Sequence, residues 1–189
     1  MTGQGVVIIK YLCIMDNKAL NTKLRSEAIY LGICEKGLKE WEEDMTDAEL
    51  IAFGFRNIDF LLKHHWPAND TIKTSWPKDF LRMNAVFVDD KYSINNAEHS
   101  LILGNSDITM RYNGWAIGVV CVRDGSKLSV TAKNKSHIII HAFDNADINA
   151  DGYDNASITV IRHSEDIRVS TFCQNHEAIK VKDELGYLK

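Results

Sequence analysis

The chain has 189 residues, a formal net charge of −4, 45% hydrophobic residues and 25% charged residues. That composition supports a packed core and excludes a disordered tail. So mild an acidity leaves no electrostatic footprint for wrapping nucleic acid or docking on anionic lipid, and neither is expected as a partner.

The first apolar stretch is Val6-Val7-Ile8-Ile9, then Lys10, then Tyr11-Leu12-Cys13-Ile14. It is too short and too interrupted to span a bilayer, and it lacks the basic region and cleavage site of a signal peptide. A buried strand is the expectation, with Met15 as an alternative start and a cytoplasmic location. Cys13, Cys34, Cys121 and Cys173 form no CxxC pair and sit among apolar residues. They read as reduced core cysteines, with neither a disulfide framework nor a zinc ligand set.

Residues 1–84 read as a small helical domain. Leu20, Leu24, Ala28 and Leu31 recur at helical spacing, and Gly32 stands where a C′ glycine stops a helix. Ile33, Leu38 and Trp41 mark a short second helix, followed by the solvated acidic run Glu42-Glu43-Asp44. Thr46 and Glu49 have the capping-box spacing. They open what reads as one long helix, with Ile51, Phe55, Ile58, Leu62 and Trp66 on its apolar face, ended by Pro67. Trp76-Pro77 opens one more helical turn carrying Phe80 and Leu81. The aromatic stripe reads as core.

From Ala85 the period changes to two, with a turn at Asp89-Asp90-Lys91 and extended residues resuming at Tyr92 and Ile94. Residue 106 then begins a ten-residue repeat. Its first position is small: Ser106, Ala116, Ser126, Ser136, Ala146, Ala156. The third is Ile108, Leu128, Ile138, Ile148 or Ile158, with Gly118 the exception. The fifth is Met110, Val120, Val130, Ile140, Ala150 or Val160. The seventh is mostly small or apolar, as Tyr112, Val122, Ala132, Ala142 and Gly152, and Arg162 breaks the rule. Asp124-Gly125, Asn134-Lys135, Asp144-Asn145 and Asp154-Asn155 close the repeats as turns, and a one-residue slip at Asp166 leads into Ile167 and Val169. A strand with one buried face that recurs at fixed period must stack on its neighbours, because one unit cannot bury that face alone.

The outward positions alternate over twenty residues. Ile117, Val119, Cys121, Ile139 and Ile161 fall in one set of decads, while the other set carries only polar residues such as Asp107, Lys127 and Asn149. Two decads per coil give that result, with one apolar outer wall and one polar. The fold expected is therefore α+β: a helical domain over 1–84, then a short single-chain β-solenoid over 85–189. The helices cap or flank the solenoid, and a C-terminal cap begins at Phe172.

Asp144-Asn145-Ala146-Asp147-Ile148-Asn149-Ala150 and Asp154-Asn155-Ala156-Ser157-Ile158-Thr159-Val160 resemble the "D-N-A-x-V-x-A" repeats of uncharacterised bacterial and phage-borne hypothetical proteins. Leu31-Gly32-Ile33-Cys34, Leu38 and Trp41, with Val88-Asp89-Asp90, resemble the helical lead-in of some of them. The resemblance implies architecture and carries no established activity. Pentapeptide-repeat proteins are more distant, because the second half-decads centre on Asn113, Arg123, Lys133, Phe143, Tyr153 and His163.

The chemistry is sparse. His137 and His141 share a strand face with His163 at a later turn, and read as surface histidines. His64-His65 reads as a helix end, where positive charge is welcome. Asp124 and Asp144 stack in successive coils and read as turn formers before they read as a carboxylate pair or a calcium site. No P-loop, GxSxG or HExxH occurs. From 106 to 171 eight acids meet seven bases, which argues against phosphate mimicry. The expectation is a non-catalytic scaffold or protein-interaction module, not an enzyme, with no cofactor and no metal. An inhibitor of a host protein encoded by a phage or mobile element is the alternative, and a small polysaccharide-active enzyme the next. The interface expected is Ile117, Val119, Cys121, Ile139 and Ile161, covered by a protein partner or homodimer, or else by the helical half. A second copy is favoured, since Leu24, Leu38 and Trp41 already give the helices a core.

Overall fold

The structure, a computed structural model, describes residues 17–174 and 179–186; the strand expected over 6–14 lies outside them. Helix α1 (Asn17–Tyr30) stops at Gly32, whose φ of +83° suits a residue without Cβ. The Ile33 amide donates back to the Ala28 carbonyl at 3.0 Å, closing the helix end. Helix α2 spans Glu35–Lys39. Helix α3 (Asp47–Arg56) opens on the expected box, with Thr46 and Glu49 bonding each other's backbone amides.

The long helix expected from the Thr46 capping box to Pro67 is two helices, α3 and α4 (Ile58–His64). Asn57 divides them. Its side chain donates to the Phe53 carbonyl at 3.0 Å, and its amide is shared between Phe53 and Gly54 carbonyls. A short amide side chain that satisfies the preceding turn competes with helix continuation. Helix α5 (Asn69–Ser75) was not expected, because only Ile72 and Trp76 supply helical apolar spacing there. Helix α6 spans Lys78–Met83. The helical core centres on Trp41, which packs edge-on to Phe53 at 4.5 Å and donates its indole N–H to Asn21 Oδ1 at 2.6 Å.

A short parallel β-solenoid of about four turns follows. Strands β1 (Val86–Val88), β3 (His99–Leu103), β5 (Ile117–Val122), β7 (His137–Ala142), β9 (Ser157–Arg162) and β11 (Ile179–Asp183) form one parallel sheet. Strands β2 (Lys91–Asn95), β4 (Asp107–Tyr112), β6 (Lys127–Ala132), β8 (Asp147–Gly152) and β10 (Arg168–Cys173) form the other. Asp107 pairs with Lys127 and Ile117 with His137, so two decads make one coil. The first coil is shorter, with Val86 beside Leu101. The last is one residue longer, with Asp147 beside Arg168, where the repeat slips.

The inside of the stack is as the alternation requires: Ile108, Val120, Ile138, Ile140, Ile148, Ile158 and Val160 are all fully buried. Each such side chain contributes up to about 1.5–3 kcal/mol of transfer free energy. Asp124, Asn134, Asp144 and Asp154 turn the corners with φ between 55° and 61°, a region that short polar side chains tolerate. The cap expected from Phe172 onward is instead more solenoid. Phe172 and Cys173 belong to β10, and Ile179 and Val181 alternate with lysines in β11, continuing the period of two.

The helices flank the odd-numbered sheet. Val86, Val88, Leu101, Leu103, Cys121 and Phe143 join the helical core through the outer face of that sheet. The junction is pinned by Asp90, whose carboxylate accepts from Arg82 Nε at 2.8 Å and Nη2 at 2.9 Å and lies 3.1 Å from Lys78 Nζ. No helix among the described residues is long and apolar enough to cross a membrane.

Candidate functional site

The five residues expected to make an interface all lie on the outer face of the odd-numbered sheet, but the helices divide them. Cys121 is buried in the row Val86, Leu101, Cys121, beneath the helices. Burial, with the charge of Asp59 added to it, pushes its thiol up to about 12. It is therefore an inert core thiol with no surface to offer a partner. Val119, Ile139 and Ile161 are half-buried, and Ile117 is 64% exposed. Beside Ile117, at the preceding turn, Trp115 is 77% exposed, with Lys135 Nζ 4.3 Å from its ring. Trp115 leaves no trace in the repeat, because a tryptophan at a turn position carries no periodic signal.

The opposite wall is polar and patterned. One row runs Lys91, Asp107, Lys127, Asp147, Arg168 in successive coils, alternating in sign. Lys91 Nζ lies 3.1 Å from Asp107 and Arg168 2.9 Å from Asp147. A slip of one coil would set like charges side by side, so the row favours the native register.

The histidines separate. His137 is exposed on the wall, whereas His141 faces His163, with Nδ1 and Nε2 3.1 Å apart and the rings parallel. His163 also stacks on Phe143 at 4.4 Å, at the edge of the helical core. Burial, and then the charge of His163, lowers the His141 pKa below its ordinary value.

At the corner nearest α4 and α5 the turn aspartates form a ladder. Asp89 Oδ1 accepts from the Asn105 amide at 2.9 Å, Asp124 Oδ2 from the Gly104 amide at 2.7 Å, and Asp144 Oδ2 from the Asp124 amide at 3.0 Å. Each carboxylate thus satisfies a turn amide of a neighbouring coil, the turn-forming role expected of Asp124 and Asp144. A Cβ at Gly104 would lie 2.2 Å from Asp89 Oδ1, so only glycine fits beneath that carboxylate. His65 ends α4 in a left-handed conformation and turns its ring to this corner, with Nδ1 3.8 Å from Asp124 Oδ1. Arg123, the centre of a second half-decad, is only 2% exposed, because α4 and α5 lie over it. Burial lowers its pKa even with Asp124 and Asp144 nearby. Among protein families, curated proteins and solved structures, none matches this chain. Its function therefore rests on these surfaces alone.

Proposed function

We propose that this protein is a non-catalytic interaction module, and that the uncovered part of the apolar wall seats a protein partner. The observation that carries this is the placing of Trp115 and Ile117, 77% and 64% exposed, two residues apart at the edge of the wall beside the half-buried pair Val119 and Ile139. A soluble chain seldom holds an aromatic and aliphatic side chain together in water without a use for them. Tryptophan is the residue type most enriched among binding hot spots, where a rigid ring fills a partner's pocket. The helices rigidify the sheet from one side, so the strip is presented without an ordering penalty. The Asp124 and Asp144 carboxylates, which a carbohydrate-cleaving reading recruits, each give one oxygen, Oδ2, to a turn amide. A second copy of the chain is one form the partner takes. A host protein bound by a phage-encoded inhibitor is another, supported by the repeat resemblance.

A photo-crosslinking amino acid placed at Ile117, and separately at Asn149 on the polar wall, tests this in the native host. The expected result is a discrete adduct from position 117 that disappears with Trp115→Ala, and none from position 149. An adduct of twice the chain mass identifies a homodimer. Equal labelling from both positions, or none from position 117, overturns the proposal.

A further inference from the structure

The corner between α4 and the solenoid brings together three ligand-bearing side chains from separate parts of the chain. His65 comes from the end of α4, and Asp124 and Asp144 from turns one coil apart. One ligand atom of each lies within 4.8 Å of the other two. Both carboxylates are oriented by bonds to Oδ2. Asp124 Oδ2 accepts from the Gly104 amide at 2.7 Å and from Asn69 Nδ2 at 2.9 Å, and Asp144 Oδ2 accepts from the Asp124 amide at 3.0 Å. Asp124 Oδ1 instead stands 3.8 Å from His65 Nδ1 and 3.7 Å from Arg123 Nε, both beyond hydrogen-bonding range. Partners outside the ligand set that fix ligand orientation are a regular feature of metal sites.

Arg123 is a second, independent sign. It lines the same cleft as His65, Asn69 and Asp124, and it is 2% exposed. Among the described residues its Nε–H has no hydrogen-bond acceptor, and its other contacts, to the Leu61 carbonyl and Asn69 Oδ1, are long at 3.5 and 3.4 Å. A buried guanidinium N–H without an acceptor is unfavourable. A hydroxide or small anion carried on a cation at Asp124 supplies one.

We infer that His65, Asp124 and Asp144 bind a divalent transition-metal ion. One imidazole nitrogen with two carboxylate oxygens suits Zn²⁺ or Mn²⁺, whereas Ca²⁺ and Mg²⁺ favour all-oxygen sets. Two carboxylates neutralise the ion, and three protein ligands leave a position for the solvent or anion that Arg123 bonds. This goes beyond the interaction surface, which lies on another part of the sheet. It also departs from the sequence expectation of no metal, because only the docking of α4 carries His65 to the turn aspartates.

The test is calorimetric titration of the full, untagged chain with Zn²⁺ and, separately, Ca²⁺. One Zn²⁺ per chain is expected, with Ca²⁺ much weaker. Asp144→Asn keeps an acceptor for the Asp124 amide, and His65→Asn keeps a residue that tolerates left-handed backbone. Each is expected to weaken Zn²⁺ binding by about tenfold or more, while His64→Asn leaves it unchanged. Mn²⁺ broadening of amide resonances in the wild-type chain checks the location without any variant. It should centre on Gly104, Asp124 and His65. Absence of saturable Zn²⁺ binding, wild-type affinity in both site variants, or broadening centred on His141 and His163 overturns the assignment.

Discussion

The ring of Tyr112 occupies the space that a side chain at Gly118 needs: a Cβ there would lie 2.6 Å from Tyr112 Cε1 and 2.8 Å from its hydroxyl oxygen. These two residues are the bulky seventh and the empty third position of adjoining decads, so two departures from the repeat are one compensated pair. The hydroxyl donates to the Ala97 carbonyl at 2.9 Å, which fixes the ring, and burial pushes its pKa up to about 12. Gly118→Val is expected to destabilise the chain by about 1–3 kcal/mol through overpacking. Combining it with Tyr112→Ala should recover part of that loss, giving strong non-additivity in urea melts. Additive losses would show that the ring is not the obstacle.

Asp90 joins the two halves through a side chain that is only 3% exposed. Burial alone would raise its pKa, yet the hydrogen bonds from Arg82 and Lys78 hold it below the ordinary carboxylate value. A depressed carboxylate gives stability that is present above the unfolded value of 3.8 and lost as pH falls through the folded one. Asp90→Asn keeps the size and removes the charge, leaving Arg82 and Lys78 without their shared partner. We expect a loss of about 1–3 kcal/mol in chemical denaturation, discounted because Lys78 is half exposed. The variant should also lose part of the acid sensitivity expected of the wild type below pH 3.8.

Much of the solenoid was legible because a repeat states its own register. The small first position, the aliphatic third and fifth, and the outward alternation over twenty residues led to the two-sheet coil, and the slip at Asp166 reappears as the longer Asp147-to-Arg168 spacing. The helical half was less legible. Asn57 breaks a helix without disturbing its apolar spacing, so Ile51 through Trp66 reads as continuous. The burial of Arg123 and Cys121 depends on where α4 and α5 dock. Docking is a tertiary choice that leaves no period in the sequence.

His141, which faces His163, is expected to make the fold sensitive to mild acid. His141 has a folded pKa below 6.5, through burial first and the charge of His163 second. The neutral ring is therefore the native form, and the unfolded chain binds the proton more readily. Stability from this group is fully present above the unfolded value of 6.5 and is lost as pH falls from there toward the folded pKa. The melting temperature should decline as pH falls below 6.5, above the range in which Asp90 titrates. His141→Gln should flatten that decline. An unchanged slope in the variant would place the sensitivity elsewhere.

Neighbouring positions on one strand should respond in opposite ways. Ile148 is fully buried in the inner stack, and Asn149 beside it is exposed on the polar wall. Ile148→Asp places an unpaired charge among aliphatic side chains and is expected to cost several kcal/mol, enough to unfold or aggregate the chain. Asn149→Asp should stay within about 0.5 kcal/mol. Similar melting temperatures for the two variants would contradict the inside-outside assignment.

The apolar wall divides into a covered and an open part, and the two parts should behave differently when charged. Cys121 is 7% exposed and packs among helical residues, so Cys121→Glu buries a carboxylate between helices and sheet. A loss of several kcal/mol is expected, seen as a lower melting temperature and a helical signal that fades before the sheet unfolds. Ile117 is 64% exposed, and Ile117→Glu should leave the melting temperature close to wild type. What it should change is association. If the partner is a second copy, light scattering on a sizing column should show the wild-type dimer becoming a folded monomer in Ile117→Glu and in Trp115→Ala. If the partner is another protein, the mass stays that of one chain in all cases and only the crosslinked adduct is lost. A fall in stability for Ile117→Glu as large as that for Cys121→Glu would mean that the helices cover the whole wall. The interaction surface would then have to lie elsewhere on the solenoid.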